Sequence, residues 1–165
     1  MKFDPAAICR VLNEEEVDYV VIGGFASVVL GSPLPTEDID VLPDRSMDNL
    51  VKLSQALRRM NAMIRTEDEA VPARLDAEFS ANMPLTLNLV TDFGIVDLTF
   101  EPAGPNRGYA DWNADASTEE IAAGLVVRVA ALDDIIESKR AANRAKDHRA
   151  LPYLESLREI RQTDS

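Results

Sequence analysis

Two aspartates one residue apart, Asp38 and Asp40, stand in the segment EDIDVL, and a third, Asp97, stands in GIVDLTF with similar apolar flanks. Successive side chains on a strand point to opposite faces. Asp38 and Asp40 therefore share a face with Cα atoms roughly 7 Å apart, while Ile39 and Val41 turn to the core. Carboxylates held that close repel one another unless a cation sits between them. A hard divalent cation is the natural partner, because Mg²⁺ takes oxygen ligands and is usually held by one or two carboxylates plus substrate phosphates. If the strand bearing Asp97 runs beside the strand bearing the pair, three acids converge, enough to hold two metal ions that activate a hydroxyl and steady a leaving pyrophosphate. The plainer alternative is two acids on the solvent face of an edge strand.

Fourteen residues before Asp38 lies Gly24, the second of a glycine pair, Gly23-Gly24, that ends the apolar run DYVVIG. Glycines at a strand-to-helix junction let backbone N–H groups approach a phosphate closely, and the helix N-terminus adds a favourable dipole. Ser27, one turn into that helix, adds a hydroxyl. A tight turn with no ligand is the competing reading.

The elements that must carry these residues follow from local signals. Asp4-Pro5 starts a helix that runs to about Glu16, with Ile8, Val11 and Leu12 at helical spacing. DYVVIG reads as a buried strand, FASVVLG as a short helix closing at Gly31, SPLPT as a loop and DIDVL as a strand. Ser46 caps a helix whose core face is Leu50, Leu53, Leu57 and Met60. Thr66 to Asn82 is ambiguous between helix and loop. LTLNLVTDFGIVDLTF alternates as a hairpin turning at Asp92-Phe93-Gly94. Residues 102–118 read as a surface excursion pinned by Tyr109 and Trp112, LVVRVA as a strand, and Ala131–Asn143 with Asp147–Arg161 as closing helices. The expected fold is α/β (α+β): a mixed four- to five-stranded sheet with helices packed on it, in one domain spanning 1–165, its core about 1–130 and its C-terminal basic helices about 131–161.

Composition narrows the partners. With 46% hydrophobic and 28% charged residues the balance is that of a globular protein, not of a disordered tail. No run is long enough to span a membrane and the N-terminus turns acidic too soon for a secretory signal, so the expected compartment is the cytoplasm. The single cysteine, Cys9, sits among apolar neighbours and reads as a core residue. A net charge of −12 opposes indiscriminate binding to nucleic acid. Residues 126–165 nevertheless hold eight Lys or Arg against seven Asp or Glu, and five of those bases fall between Lys139 and Arg149. A positive site is therefore local and near the C-terminus, unless the cluster is an ordinary solvated helix face.

Ile22-Gly23-Gly24, thirteen residues, then Asp38-Ile39-Asp40-Val41 resembles the signature of the DNA polymerase β-like nucleotidyltransferase superfamily. LDDIIESKRAANRAKDHRAL is similar to the C-terminal Lys…Arg-x-Lys-Asp element of small AbiEii and MenT-type toxin nucleotidyltransferases. The resemblance implies that Asp38, Asp40 and Asp97 bind Mg²⁺ or Mn²⁺, with Asp97 as base for the acceptor hydroxyl. It implies that Gly23, Gly24 and Ser27 hold an NTP, that Lys139 reaches its phosphates, and that Arg144 and Lys146 support them or touch the acceptor. The implied reaction moves NMP from NTP to a hydroxyl, with RNA, such as a tRNA 3′ end, as acceptor and an antitoxin as partner. A protein or small-molecule acceptor, as in adenylylating antitoxins and antibiotic-modifying enzymes, and a silent binding role are the alternatives. One departure stands out: relatives commonly carry Arg after the first proline of the loop, and this chain has Leu34.

Overall fold

Asp4 accepts from Ala7 N at 3.0 Å and Pro5 opens the helix behind it; Ser46 accepts from Asn49 N at 3.4 Å and opens another. Both caps satisfy N–H groups that a helix start leaves without intrahelical partners. The computed structural model of the chain describes residues 2–65, 70–72 and 86–164. Its elements are α1 (Pro5–Glu14), β1 (Tyr19–Ile22), α2 (Gly23–Leu30), β2 (Asp38–Pro43), α3 (Met47–Arg59), β3 (Met63–Arg65), β4 (Ala70–Pro72), β5 (Thr86–Thr91), β6 (Gly94–Thr99), α4 (Tyr109–Ala114), β7 (Ser117–Ala122), β8 (Leu125–Val129), α5 (Leu132–Ala142) and α6 (Ala145–Thr163).

The expected mixed sheet is present, with strand order β4-β3-β5-β6-β2-β1-β8-β7. Its eight strands among the described residues exceed the four or five expected: β3 and β4 are three residues each, too short to show a period, and β7 begins inside the stretch read as a surface excursion. β2 runs parallel to β6 and β1 parallel to β8, and the other neighbours are antiparallel. Of the ambiguous stretch Thr66–Asn82, residues 70–72 form β4 and the remainder lies outside the described residues. The excursion at 102–118 contains α4, and Trp112 on that helix is only 2% exposed, so this segment is anchored in the core.

Alternation decides what the sheet's faces do. Ile39 and Val41 on β2, Leu89 on β5, and Val96 and Leu98 on β6 are buried and join one apolar cluster with Ile8 and Leu12 of α1 and Leu50, Leu53 and Leu57 of α3. Each such side chain contributes about 1.5–3 kcal/mol by leaving water. That face holds the strands in register, and the residues between them are thereby forced onto the opposite face, whatever their charge.

Candidate active site

The sheet's register brings two of the three aspartates together. In the parallel pairing of β2 with β6, Asp40 stands directly opposite Asp97, and Asp38 stands opposite Ile95. On the other side of β2, Asp40 is opposite Ile22, the last residue of β1, after which the chain turns into α2. Gly23 makes that turn with φ +69°, and a Cβ there would collide with the Asp40 carboxylate. Glycine is needed here on both counts: the left-handed conformation and the space for Asp40. At Gly24 a Cβ would lie 3.3 Å from Thr36 Oγ1, so the glycine pair also lets the loop before β2 close over the helix start.

Asp38 lies close enough for its charge to act on both, with its carboxylate engaged in a hydrogen bond. Its carboxylate accepts from the Thr36 hydroxyl at 3.2 Å, and among the described residues no group of three acids stands at metal-ligand spacing. Asp40 and Asp97 share a hydrogen bond, and burial together with the negative charges of Asp97 and Asp38 pushes Asp40 up to about 7. Burial and Asp38 raise Asp97 as well, against the hydrogen bond from Asp40 and the positive charges of Arg65 and Lys146. Asp97 Oδ1 is buried with no hydrogen-bond partner among the described residues. A like-charged pair that must share a proton, beside an acceptor atom with no donor, is a site short of positive charge. A divalent cation fits it, with Asp40 and Asp97 as oxygen donors.

The opposite wall is cationic and is organised by a carboxylate. α5 ends at Asn143 in the left-handed conformation, φ 53°, and Arg144 then caps α6. Asp147, fully buried, accepts from Arg144 N at 3.1 Å and Arg144 Nε at 2.8 Å, and lies 3.7 Å from Lys139 Nζ. Burial alone would raise the Asp147 carboxyl, but Arg144 and Lys139 hold it below its ordinary value. Lys139 is lowered, chiefly by burial and against the attraction of Asp147 and Asp40. α6 is tied back to the glycine-turn helix, for Arg161 donates to Leu30 O at 3.0 Å and Leu157 packs on Gly31.

Between these walls lies a cleft of about 480 Å³. Of the residues singled out from the sequence, Gly23, Asp40, Asp97, Lys139, Arg144 and Lys146 line it. Gly24, Ser27 and Asp38 are not among the lining residues; the Ser27 side chain is buried and its hydroxyl donates to Gly23 O at 3.1 Å, one turn back along its own helix. The sequence reading missed Arg65, Thr86, Asn88, Thr99 and Glu101, which line the cleft from β3, β5 and the end of β6. Alternation in LTLNLV and GIVDLTF was the available signal, since Asn88 stands opposite Asp97 and Thr86 opposite Thr99. Among the described residues no helix is long and apolar enough to cross a membrane.

By sequence the chain matches no family model and no curated protein; its likeness is in three dimensions. The lincosamide antibiotic adenylyltransferase LnuA, in its lincomycin-bound form, superposes with a TM-score of 0.62 at 17% identity, over 94% of this chain and 98% of its own. ANT(2")-Ia in complex with adenylyl-2"-tobramycin superposes at 0.56 with 14% identity, over 95% of this chain and 94% of its own. A Thermotoga maritima structure assigned to the nucleotidyltransferases superposes at 0.54 with 17% identity, over 95% and 89%. Of these three, the two nearer in score are antibiotic-linked adenylyl proteins. The chain thus has the fold of the nucleotidyltransferases.

Proposed function

We propose that the protein is a metal-dependent nucleotidyltransferase that moves NMP from an NTP to a hydroxyl of a small molecule. One observation carries the reading: Asp40 and Asp97 meet across β2 and β6 at the floor of a cleft that has a glycine turn on one side and Lys139, Arg144 and Lys146 on the other. Acids alone would repel a triphosphate and bases alone would only bind one. The two together hold the phosphates while leaving carboxylates at the reacting centre. Mg²⁺ or Mn²⁺, when bound, supplies Lewis-acid stabilisation of the charge that builds on the phosphate oxygens.

The chain's own residues divide the remaining work. Gly23 and Gly24 bring the first N–H groups of α2 to the triphosphate, and Lys139 and Lys146 balance its charge. Asp40 and Asp97 would hold the cation, with Asp38 beside them as the third acid. Asp97 takes the proton of the acceptor hydroxyl. The acceptor oxygen forms a bond to the α-phosphorus, the bond from that phosphorus to the bridging oxygen breaks, and pyrophosphate leaves with the electron pair. Asp147 touches no substrate; it positions Lys139 and Arg144.

The small-molecule acceptor is preferred to the RNA and antitoxin partners drawn from the toxin-like resemblance, because the antibiotic-linked neighbours match nearly the whole chain. The test is pyrophosphate release and label transfer with each labelled NTP and Mg²⁺, offered separately an antibiotic panel, tRNA and cell protein. Label in the small-molecule pool supports the reading. Label confined to tRNA or protein replaces it with the other acceptor, and NTP that neither binds nor turns over removes it.

A further inference from the structure

The two walls of the cleft differ in charge, and the difference bears on the acceptor. Lys139, Arg144 and Lys146 all come from α5 and α6, whereas the β5–β6 wall offers Thr86, Asn88, Thr99 and Glu101, with Arg65 at its far edge. Thr86 stands opposite Thr99 and Asn88 opposite Asp97, so these side chains form one continuous polar surface that begins at the reacting carboxylate. Hydroxyls and a carboxamide both donate and accept, which matches the alternating demands of sugar-type hydroxyls. Glu101 ends the row at the rim. Its side chain is 55% exposed and its partner Arg45 is 3.7 Å away, a solvent-screened pair that gives little resistance to a competing cation.

We propose that this hairpin wall is the acceptor subsite, and that the acceptor is a small polyhydroxylated molecule carrying a protonated amine, with its reacting hydroxyl at Asp97 and its amine at Glu101. The proposal rests on the nucleotidyltransferase reading and deepens it. Glu101 lies four residue steps beyond Asp97, a span of at most about 14 Å, so a molecule of two or three rings reaches both. A polyanion is poorly matched. RNA needs several Lys or Arg along its path to neutralise phosphates, and among the described lining residues this wall has Arg65 alone against Asp97 and Glu101. The net charge of −12 acts in the same direction, drawing cations and repelling polyanions.

The experiment measures pyrophosphate release by the full chain with Mg²⁺ and its preferred NTP, adding in turn tobramycin and two other amine-bearing glycosides, a neutral disaccharide, or tRNA. At least one amine-bearing glycoside is expected to speed release tenfold or more over the acceptor-free rate, with the disaccharide weak and tRNA inert. For that glycoside Glu101→Gln is expected to raise KM about tenfold with kcat changed less than twofold, and Thr99→Val to raise KM by a smaller factor. Acceleration by tRNA, equal acceleration by the neutral disaccharide, no response to any amine-bearing glycoside, or an unchanged KM in Glu101→Gln would each overturn the proposal. Calorimetric binding of NTP with Mg²⁺, and its loss in Asp40→Asn, report separately on the underlying reading. If that binding is present and the acceptor series fails, only the acceptor assignment falls; if it is absent, the nucleotidyltransferase reading falls first.

Discussion

Asp40 lines the cleft and Asp147 lies buried behind its cationic wall, and their surroundings shift the two aspartates in opposite directions. Asp40 faces Asp97 with Asp38 close by, and burial with these like charges lifts it to about 7. Asp147 also suffers burial, yet Arg144 and Lys139 outweigh it and lower the carboxyl. Among the described residues one acid meets like charges that Lys146 only partly offsets, while the other is satisfied by cations of its own helices. The contrast separates a group kept reactive from a group that builds the wall around it.

Replacing each acid by its amide should split the two roles, and the largest effect belongs to Asp40. Asp40→Asn should cut transfer at least about a thousandfold, since it removes the proposed cation ligand, worth several kcal/mol of transition-state stabilisation. The same change relieves the repulsion with Asp97, so the melting temperature measured at pH 8 without metal should rise. A fall in both quantities would break the comparison, for Asp40 would then be structural.

Asp147→Asn is expected to do the reverse. Loss of the buried charge should cost about 3 kcal/mol in urea unfolding, the low end for breaking a buried pair because the Arg144 guanidinium stays largely in water. Transfer should weaken mainly through a higher KM for the NTP, as Lys139 loses its anchor. Next in size is Gly23→Ala, which forces a left-handed conformation on alanine and drives its Cβ against the Asp40 carboxylate. It should cost roughly 2 kcal/mol in stability and displace Asp40, so that activity falls further than unfolding alone explains.

The acid centre was legible in the sequence and the wall around it much less so. Asp38, Asp40 and Asp97 lie in segments whose period of two announces a strand and fixes which side chains share a face, and Gly23 sits where a strand must turn sharply into a helix. The neighbour relation of β2 and β6 was a supposition that only coordinates could convert into the pairing of Asp40 with Asp97. Arg65 was invisible because β3 is three residues long and reaches the cleft by pairing with β5, some two dozen residues away along the chain. Ser27 was misplaced because position one turn into a helix does not say which way a hydroxyl points, and this one bonds its own backbone, as serines within helices often do. The excursion at 102–118 was read from its prolines and glycines; Trp112 pins it as expected, and what those residues hid is the short helix α4 and the start of β7.

The smallest expected effect is also the one that tests both aspartates in a single experiment. Asp40 titrates near 3.8 when unfolded and at about 7 when folded, so between those values the folded chain holds the extra proton. Stability without metal should therefore fall as pH rises from about 4 to 7 and level off above. Asp147 has the opposite sign: its lowered folded value gives stability that is complete above the ordinary aspartate range and lost as pH falls through the folded value. If Mg²⁺ is held by Asp40 as proposed, it needs that carboxyl ionised, so at pH 6, about one unit below the Asp40 value, its apparent affinity should be about tenfold weaker than at pH 8. Thermal melts across pH, with and without Mg²⁺, should then show a descending limb that Mg²⁺ removes and an acid limb that it leaves alone. In Asp40→Asn the descending limb and the Mg²⁺ response should both shrink while the acid limb remains, and a Mg²⁺ stabilisation equal at pH 6 and pH 8 would place the cation on other ligands than Asp40.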